Sequence, residues 1–117
     1  MAGIDLGGAD DLIASVLIEL ARAETQPRAD RLAEALVAAM DEGGIRLHAK
    51  PIQAAAFSVL KAPDMPSLLL ELGFLSSRRD RQRLTDAEWR GRMQEAIRIA
   101  LEAWARADAV EAARVRR

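Results

Sequence analysis

Ser67-Leu68-Leu69-Leu70-Glu71 is the stretch on which the fold class turns. It is short and nearly all apolar, it follows a turn bracketed by Pro63 and Pro66, and Gly73 closes it. A central strand covered on both faces has this composition, because neither side of its pleat meets water. The stretch before it supports a sheet. In residues 54–61, Phe57 and Val59 fall on one side and Ser58 and Leu60 on the other, the alternation of a strand.

Helices surround this pair. Residues 10–24 place Leu12, Ile13, Val16, Leu17, Leu20 and Ala21 on one helical face, with Asp10 or Asp11 available as the cap. Pro27 suits the first turn of a second helix, in which Leu32, Leu36, Ala39 and Met40 form an apolar stripe before Gly43 and Gly44 stop it. The two helices are expected to meet at a break at Thr25-Gln26. Residues 78–84 form a short polar helix, and Thr85-Asp86-Ala87-Glu88 reads as a capping box opening a longer one. Trp89, Met93, Ala96, Ile97, Ala100, Leu101 and Trp104 trace its buried face. Beyond Ala107 the chain turns small and basic, which predicts a frayed, solvated tail. The expected fold is α/β, a partial three-layer sandwich of two or three strands with three main helices.

Composition narrows the function classes. At 117 residues the chain is one domain at most. Half of it is apolar and 30% is charged, the balance of a globular protein. Lys and Arg number 17 against 18 Asp and Glu, and aromatics make up only 3%, so neither a global field nor stacking platforms recommend nucleic acid as a partner. No apolar run approaches the roughly 20 residues of a membrane span, and Met1 to Gly8 lack the pattern of an export signal. Without cysteine there is no disulfide, thiolate site or cysteine nucleophile. A serine hydrolase is disfavoured by the missing Gly-x-Ser-x-Gly elbow and by a single histidine as base. The glycines at 3, 7 and 8 lack the Gly-Lys-Ser/Thr ending of a phosphate loop. Arg78, Arg79, Arg81 and Arg83 read as a solvated helix face.

Glu71 stands out as a carboxylate directly after three leucines. Ligand sites of open α/β sheets gather outside strand ends, and apolar surroundings there favour the protonated carboxyl that general acid/base work uses. A strand-end carboxylate that simply reaches solvent has the same spacing, and on spacing alone both readings stand.

Residues 55–76, Ala-Ala-Phe-Ser-Val-Leu-Lys-Ala-Pro-Asp-Met-Pro-Ser-Leu-Leu-Leu-Glu-Leu-Gly-Phe-Leu-Ser, resemble the signature segment of the zinc-dependent N-acetylmuramoyl-L-alanine amidases that act on peptidoglycan in cell division. The family pattern is close to Ala-Gly-Phe-x-Val-Leu-Lys-Ala-Pro-x-x-Pro-Ser-x-Leu-Val-Glu-x-Gly-Phe-x-Ser-Asn. Residues 11–17 are similar to the helix before the signature and residues 89–101 to the helix after it, so the resemblance covers nearly the whole chain. It departs at Ala56, where the family usually has glycine, and at Ser77, where it usually has asparagine and where the change is expected to loosen the adjoining loop.

The resemblance makes Glu71 the catalytic residue, which activates a zinc-bound water and passes the proton to the leaving amine. The bond cut joins the lactyl group of N-acetylmuramic acid to the L-alanine of the stem peptide. The family's zinc ligands, His, Glu and His, lie on segments that precede the matched region. His48 does not correspond to one of them, and it reads as an ordinary surface residue. A catalytic zinc needs three protein ligands, so zinc is implied for a full-length parent, and neither tight zinc binding nor amidase activity is expected of these 117 residues alone.

Residues 1–107 then form the C-terminal part of an amidase catalytic domain, and residues 108–117 a basic tail. Residues 9–26 match the place of a regulatory helix that covers the site in cell-division members, with Glu19 or Glu24 as the blocking carboxylate. The partners implied are the peptidoglycan stem peptide and a division activator protein, and the implied location is periplasmic or extracellular. A sheet edge left uncovered predicts self-association. The competing reading is a non-catalytic α/β interaction module, or a decayed amidase remnant.

Overall fold

The computed structural model describes residues 6–52 and 63–115. Three helices account for most of them: α1 over Leu6–Glu42, α2 over Arg78–Thr85 and α3 over Ala87–Val115. The expected α/β sandwich is not what these residues form, because no strand or sheet occurs among them. The expected strand at residues 54–61 lies outside the described residues. The expected central strand at residues 67–71 takes no regular secondary structure, and no ladder of backbone hydrogen bonds joins it to a neighbour among the described residues. An apolar run reports a tendency to be extended and covered. A strand additionally requires a partner for its N–H and C=O groups, which composition does not reveal.

The first two expected helices are one. Pro27 lies inside α1, where its ring removes one backbone hydrogen bond and crowds the carbonyl four residues earlier, at a cost of about 3 kcal/mol. Contacts concentrated at this point offset that cost. Thr25 and Ala29 are buried, and the Thr25 hydroxyl donates to the Pro63 carbonyl at 2.9 Å. The Arg28 carbonyl accepts from Trp104 Nε1 at 2.9 Å. The helix also starts before the expected cap, so Asp10 and Asp11 lie within it.

At its C-terminus α1 stops as expected, through a Schellman turn. Gly44 takes φ of 72°, its N–H donates to the Asp41 carbonyl at 3.1 Å, and the Ile45 N–H donates to the Met40 carbonyl at 2.9 Å. The turn delivers the buried Ile45 into the core beside Met40.

That core lies between the C-terminal half of α1 and the N-terminal half of α3. Leu36, Ala39, Met40 and Ile45 meet Trp89, Met93, Ala96 and Ala100. The stripe expected on the first part of α1 is not covered: Leu12, Ile13, Val16, Leu17 and Leu20 are between 49% and 66% exposed. This half of the helix projects from the body. The radius of gyration is 19.2 Å, well above the roughly 13 Å of a compact chain of about this length.

Asp86, not Thr85, caps α3. Its Oδ1 accepts from the Glu88 N–H at 3.1 Å, while the Thr85 hydroxyl turns back to the Arg81 and Gln82 carbonyls at the end of α2. At the other end α3 continues past Ala107, where the sequence suggests fraying, to Val115. Ala and Arg favour helix, Asp108 is held by Arg28, and Glu111 and Arg114 pair one turn apart at 3.7 Å.

Candidate functional site

Residues 66–74 carry Glu71 across the open side of the core. Leu68 and Leu70 are partly buried against the core, while Leu69 and Glu71 are exposed. From Leu68 to Glu71 burial therefore alternates residue by residue, although no strand occurs among the described residues. The apolar enclosure expected around Glu71 is therefore absent. The leucines beside it turn toward the core, and its own carboxylate faces solvent with no hydrogen bond or ion pair among the described residues.

A locked turn fixes the far end of this segment. The Ser77 Oγ accepts from the Asp80 N–H at 3.2 Å and caps α2. The Asp80 carboxylate reaches back to accept from the Phe74 N–H at 2.9 Å. The Ser77 N–H donates to the Phe74 carbonyl at 3.0 Å, and Arg81 NH1 donates to the Leu75 carbonyl at 2.5 Å. Gly73 passes so close to Asp80 that a Cβ there would lie 3.1 Å from the Asp80 Cβ. Serine at position 77, where the family usually has asparagine, thus caps α2 and helps to hold this loop. Asp80 was not singled out in the sequence, although Ser77-Arg78-Arg79-Asp80 before a helix is a capping signature.

Glu71 stands on the wall of an open cleft of about 1100 Å³, bounded by α1, the stretch after it, residues 65–74 and the start of α2 and α3. His48 lines the same cleft. It is exposed, as the sequence suggests, and its Nδ1 accepts from the Lys50 N–H at 3.2 Å. Glu24, a candidate blocking carboxylate, is exposed and is not among the cleft-lining residues. The side chain of Glu19 lies outside the described residues.

The described residues do not fit a zinc ion. No group of three His, Cys, Asp or Glu side chains among them is placed to hold a metal, and His48 is the chain's single histidine. Nor is any helix among them long and apolar enough to cross a membrane. Among the described residues the arrangement offers one unpartnered carboxylate, on a segment held at its far end by the Ser77 and Asp80 hydrogen bonds, facing a cleft large enough for a peptide.

Comparison with known proteins bears on whose cleft this is. Residues 8–103 match the family model described as N-acetylmuramoyl-L-alanine amidase, a span that contains Glu71 and its turn. Over 59 residues the chain is 36% identical to N-acetylmuramoyl-L-alanine amidase AmiC of Escherichia coli O6:H1. That match takes in 50% of this chain and 14% of the relative, so the chain corresponds to a small part of that protein's length. No solved structure matches the chain. With most of its length inside the family's pattern, the chain belongs to the N-acetylmuramoyl-L-alanine amidase family.

Proposed function

We propose that this chain serves a peptidoglycan hydrolase, with Glu71 as the general acid/base for cleavage of the amide between N-acetylmuramic acid and L-alanine. The observation that carries the reading is the position of Glu71: exposed, unpartnered among the described residues, and presented to the cleft by a segment that the Ser77 and Asp80 hydrogen bonds hold. Family membership supports the bond and substrate class.

In this reading the oxygen of a water attacks the lactyl carbonyl carbon while Glu71 takes the water's proton. The tetrahedral centre then collapses, the C–N bond breaks, and the same carboxyl returns the proton to the departing L-alanine amine. Zinc, when bound in members of the family, would polarise the carbonyl and the attacking water. The described residues supply no ligand set for it, so the assigned steps are the proton transfers alone. General acid/base help by itself is worth only about 10² to 10⁴ in rate, and the isolated chain is therefore expected to be inactive. The substrate places the work in the periplasm or outside the cell.

Two proteins of different completeness test the role. The purified 117-residue chain should release no more stem peptide from labelled peptidoglycan than its Glu71→Gln variant. Replacing the matching segment of the AmiC relative with this chain's residues should give an active chimera that Glu71→Gln slows by at least about 10². An active chimera indifferent to the substitution rules Glu71 out.

A second reading is favoured by the exposed apolar stripe of Leu12, Ile13, Val16, Leu17 and Leu20. In it the chain is a non-catalytic module that binds a partner through α1. A chimera that never cleaves, from a chain that still binds peptidoglycan, supports this second reading.

A further inference from the structure

The cleft that carries Glu71 has a charge balance opposite to that of the chain. The whole chain has a formal net charge of −1, yet among the described residues the cleft wall holds five Lys and Arg side chains against three carboxylates. Part of this cancels locally, because Arg83 lies 3.6 Å from Asp80, which also accepts from the Phe74 N–H. Asp30 is occupied by Gln26 Nε2 at 2.8 Å.

Three arginines are left. Arg22 from α1, Arg46 from the stretch after α1 and Arg79 from α2 are all exposed on this cleft, with no hydrogen bond or ion pair among the described residues. They come from three separate parts of the chain, so no single solvated helix face accounts for them. A cleft lined by one sign of charge concentrates ligands of the other. The guanidinium fork also matches a carboxylate with two parallel hydrogen bonds.

The geometry points to a carboxylate-reading wall: Arg22, Arg46 and Arg79 select stem peptides that carry free carboxylates over the same peptides in amidated form. The inference rests on the reading of this cleft as the peptide site. It adds a specificity that the proton transfers of Glu71 do not require. Being exposed, the arginines act through contacts that salt screens, so the preference is a low-salt property that fades as ionic strength rises.

The test is a pair of probes titrated into the 117-residue chain by NMR: N-acetylmuramoyl-L-alanyl-D-glutamic acid and its diamide. The acid is expected to bind about tenfold more tightly at low salt, as one or two exposed charge-assisted contacts allow. Changing Arg22, Arg46 and Arg79 together to Gln should erase the preference, and changing them to Lys should keep part of it. Equal affinity for the two probes overturns the inference and leaves the role of Glu71 standing. A preference that survives in the folded Gln variant overturns the assignment to these arginines. If the folded chain binds neither probe, the inference and the peptide-site reading fall together.

Discussion

Arg28 and Asp108 close the two long helices on each other with a two-pronged ion pair. Arg28 Nε donates to Asp108 Oδ1 at 2.8 Å and its NH2 to Oδ2 at 2.8 Å, with Arg31 NH2 a further 3.8 Å from Oδ1. The hydrogen bonds from Arg28 hold the Asp108 carboxyl below its usual range, against a smaller opposing effect of burial. A carboxyl whose folded pKa is depressed contributes stability that is present above its unfolded value, near 3.9, and lost as pH falls through the folded value. Arg28 keeps 37% of its side chain exposed, so solvent screens the pair and its worth is about 1 kcal/mol. Asp108→Asn should lower stability at pH 7 by about that much, read from urea unfolding, and cost less at a pH below the folded value of the carboxyl. An equal loss at both pH values would show that shape, not charge, holds this corner.

Pro27 offers a test of the single long helix. Pro27→Ala restores the N–H that α1 lacks at this point and relieves the crowding of the preceding turn, a gain of up to about 3 kcal/mol. The unfolded chain becomes freer as well, which takes back roughly 0.4 to 1 kcal/mol. The net expectation is a rise in stability of about 1 to 2 kcal/mol, read from urea unfolding. A fall would mean that the chain needs a break at Thr25-Gln26.

Periodicity made the core-forming parts of the helices legible. Leu36 and Met40 on α1, with Trp89, Met93, Ala96 and Ala100 on α3, are buried as their spacing suggests, and Gly44 ends α1 as its place after the stripe implies. The errors share a cause, which is that composition describes one segment while the outcome depends on two. Ser67-Leu68-Leu69-Leu70-Glu71 has the composition of a strand, but pairing needs a neighbour, and none is found among the described residues. Leu12 to Leu20 are apolar, but burial needs an opposing surface, and Leu17 is 60% exposed. Thr85 and Asp86 both suit a cap, and only the carbonyls at the end of α2 decide which one serves. At the candidate site the surroundings were not legible from composition. Glu71 faces the cleft, but the three leucines before it do not enclose it.

The turn beside Glu71 has little slack. Gly73→Ala would put a methyl 3.1 Å from the Asp80 Cβ, so Asp80 must shift and its 2.9 Å bond from the Phe74 N–H must lengthen. Gly73 does not need a positive φ, so the effect is crowding alone. A loss of about 1 kcal/mol is expected, together with faster amide exchange at Phe74. Unchanged exchange at Phe74 would mean that the loop absorbs the methyl without moving Asp80.

Gly44 presents the opposite case, a position where conformation matters and space does not. A Cβ there would meet nothing nearer than the Arg92 guanidinium at 3.9 Å, but φ is 72°, where L side chains cost roughly 1 to 2 kcal/mol. Gly44→Ala should therefore destabilise by about 1 kcal/mol and Gly44→Asn by less, since asparagine tolerates this region better. Equal losses for the two would locate the cost in the core contact of Ile45 instead of in the backbone.

The two halves of α1 should respond to mutation very differently. Met40 is 4% exposed in the core opposite Met93, and Met40→Ala is expected to cost about 2 to 5 kcal/mol through lost burial and a cavity. Leu17 is just as apolar but 60% exposed, and Leu17→Glu removes nothing from a packed interior. Its effect on the stability of dilute protein, read from urea unfolding, should stay within about 0.5 kcal/mol. If Leu17→Glu instead costs as much as a core truncation, something covers that face in solution. The exposed stripe would then be an interface even in the isolated chain, and sedimentation of the unmutated protein against concentration would show whether a second copy supplies the cover.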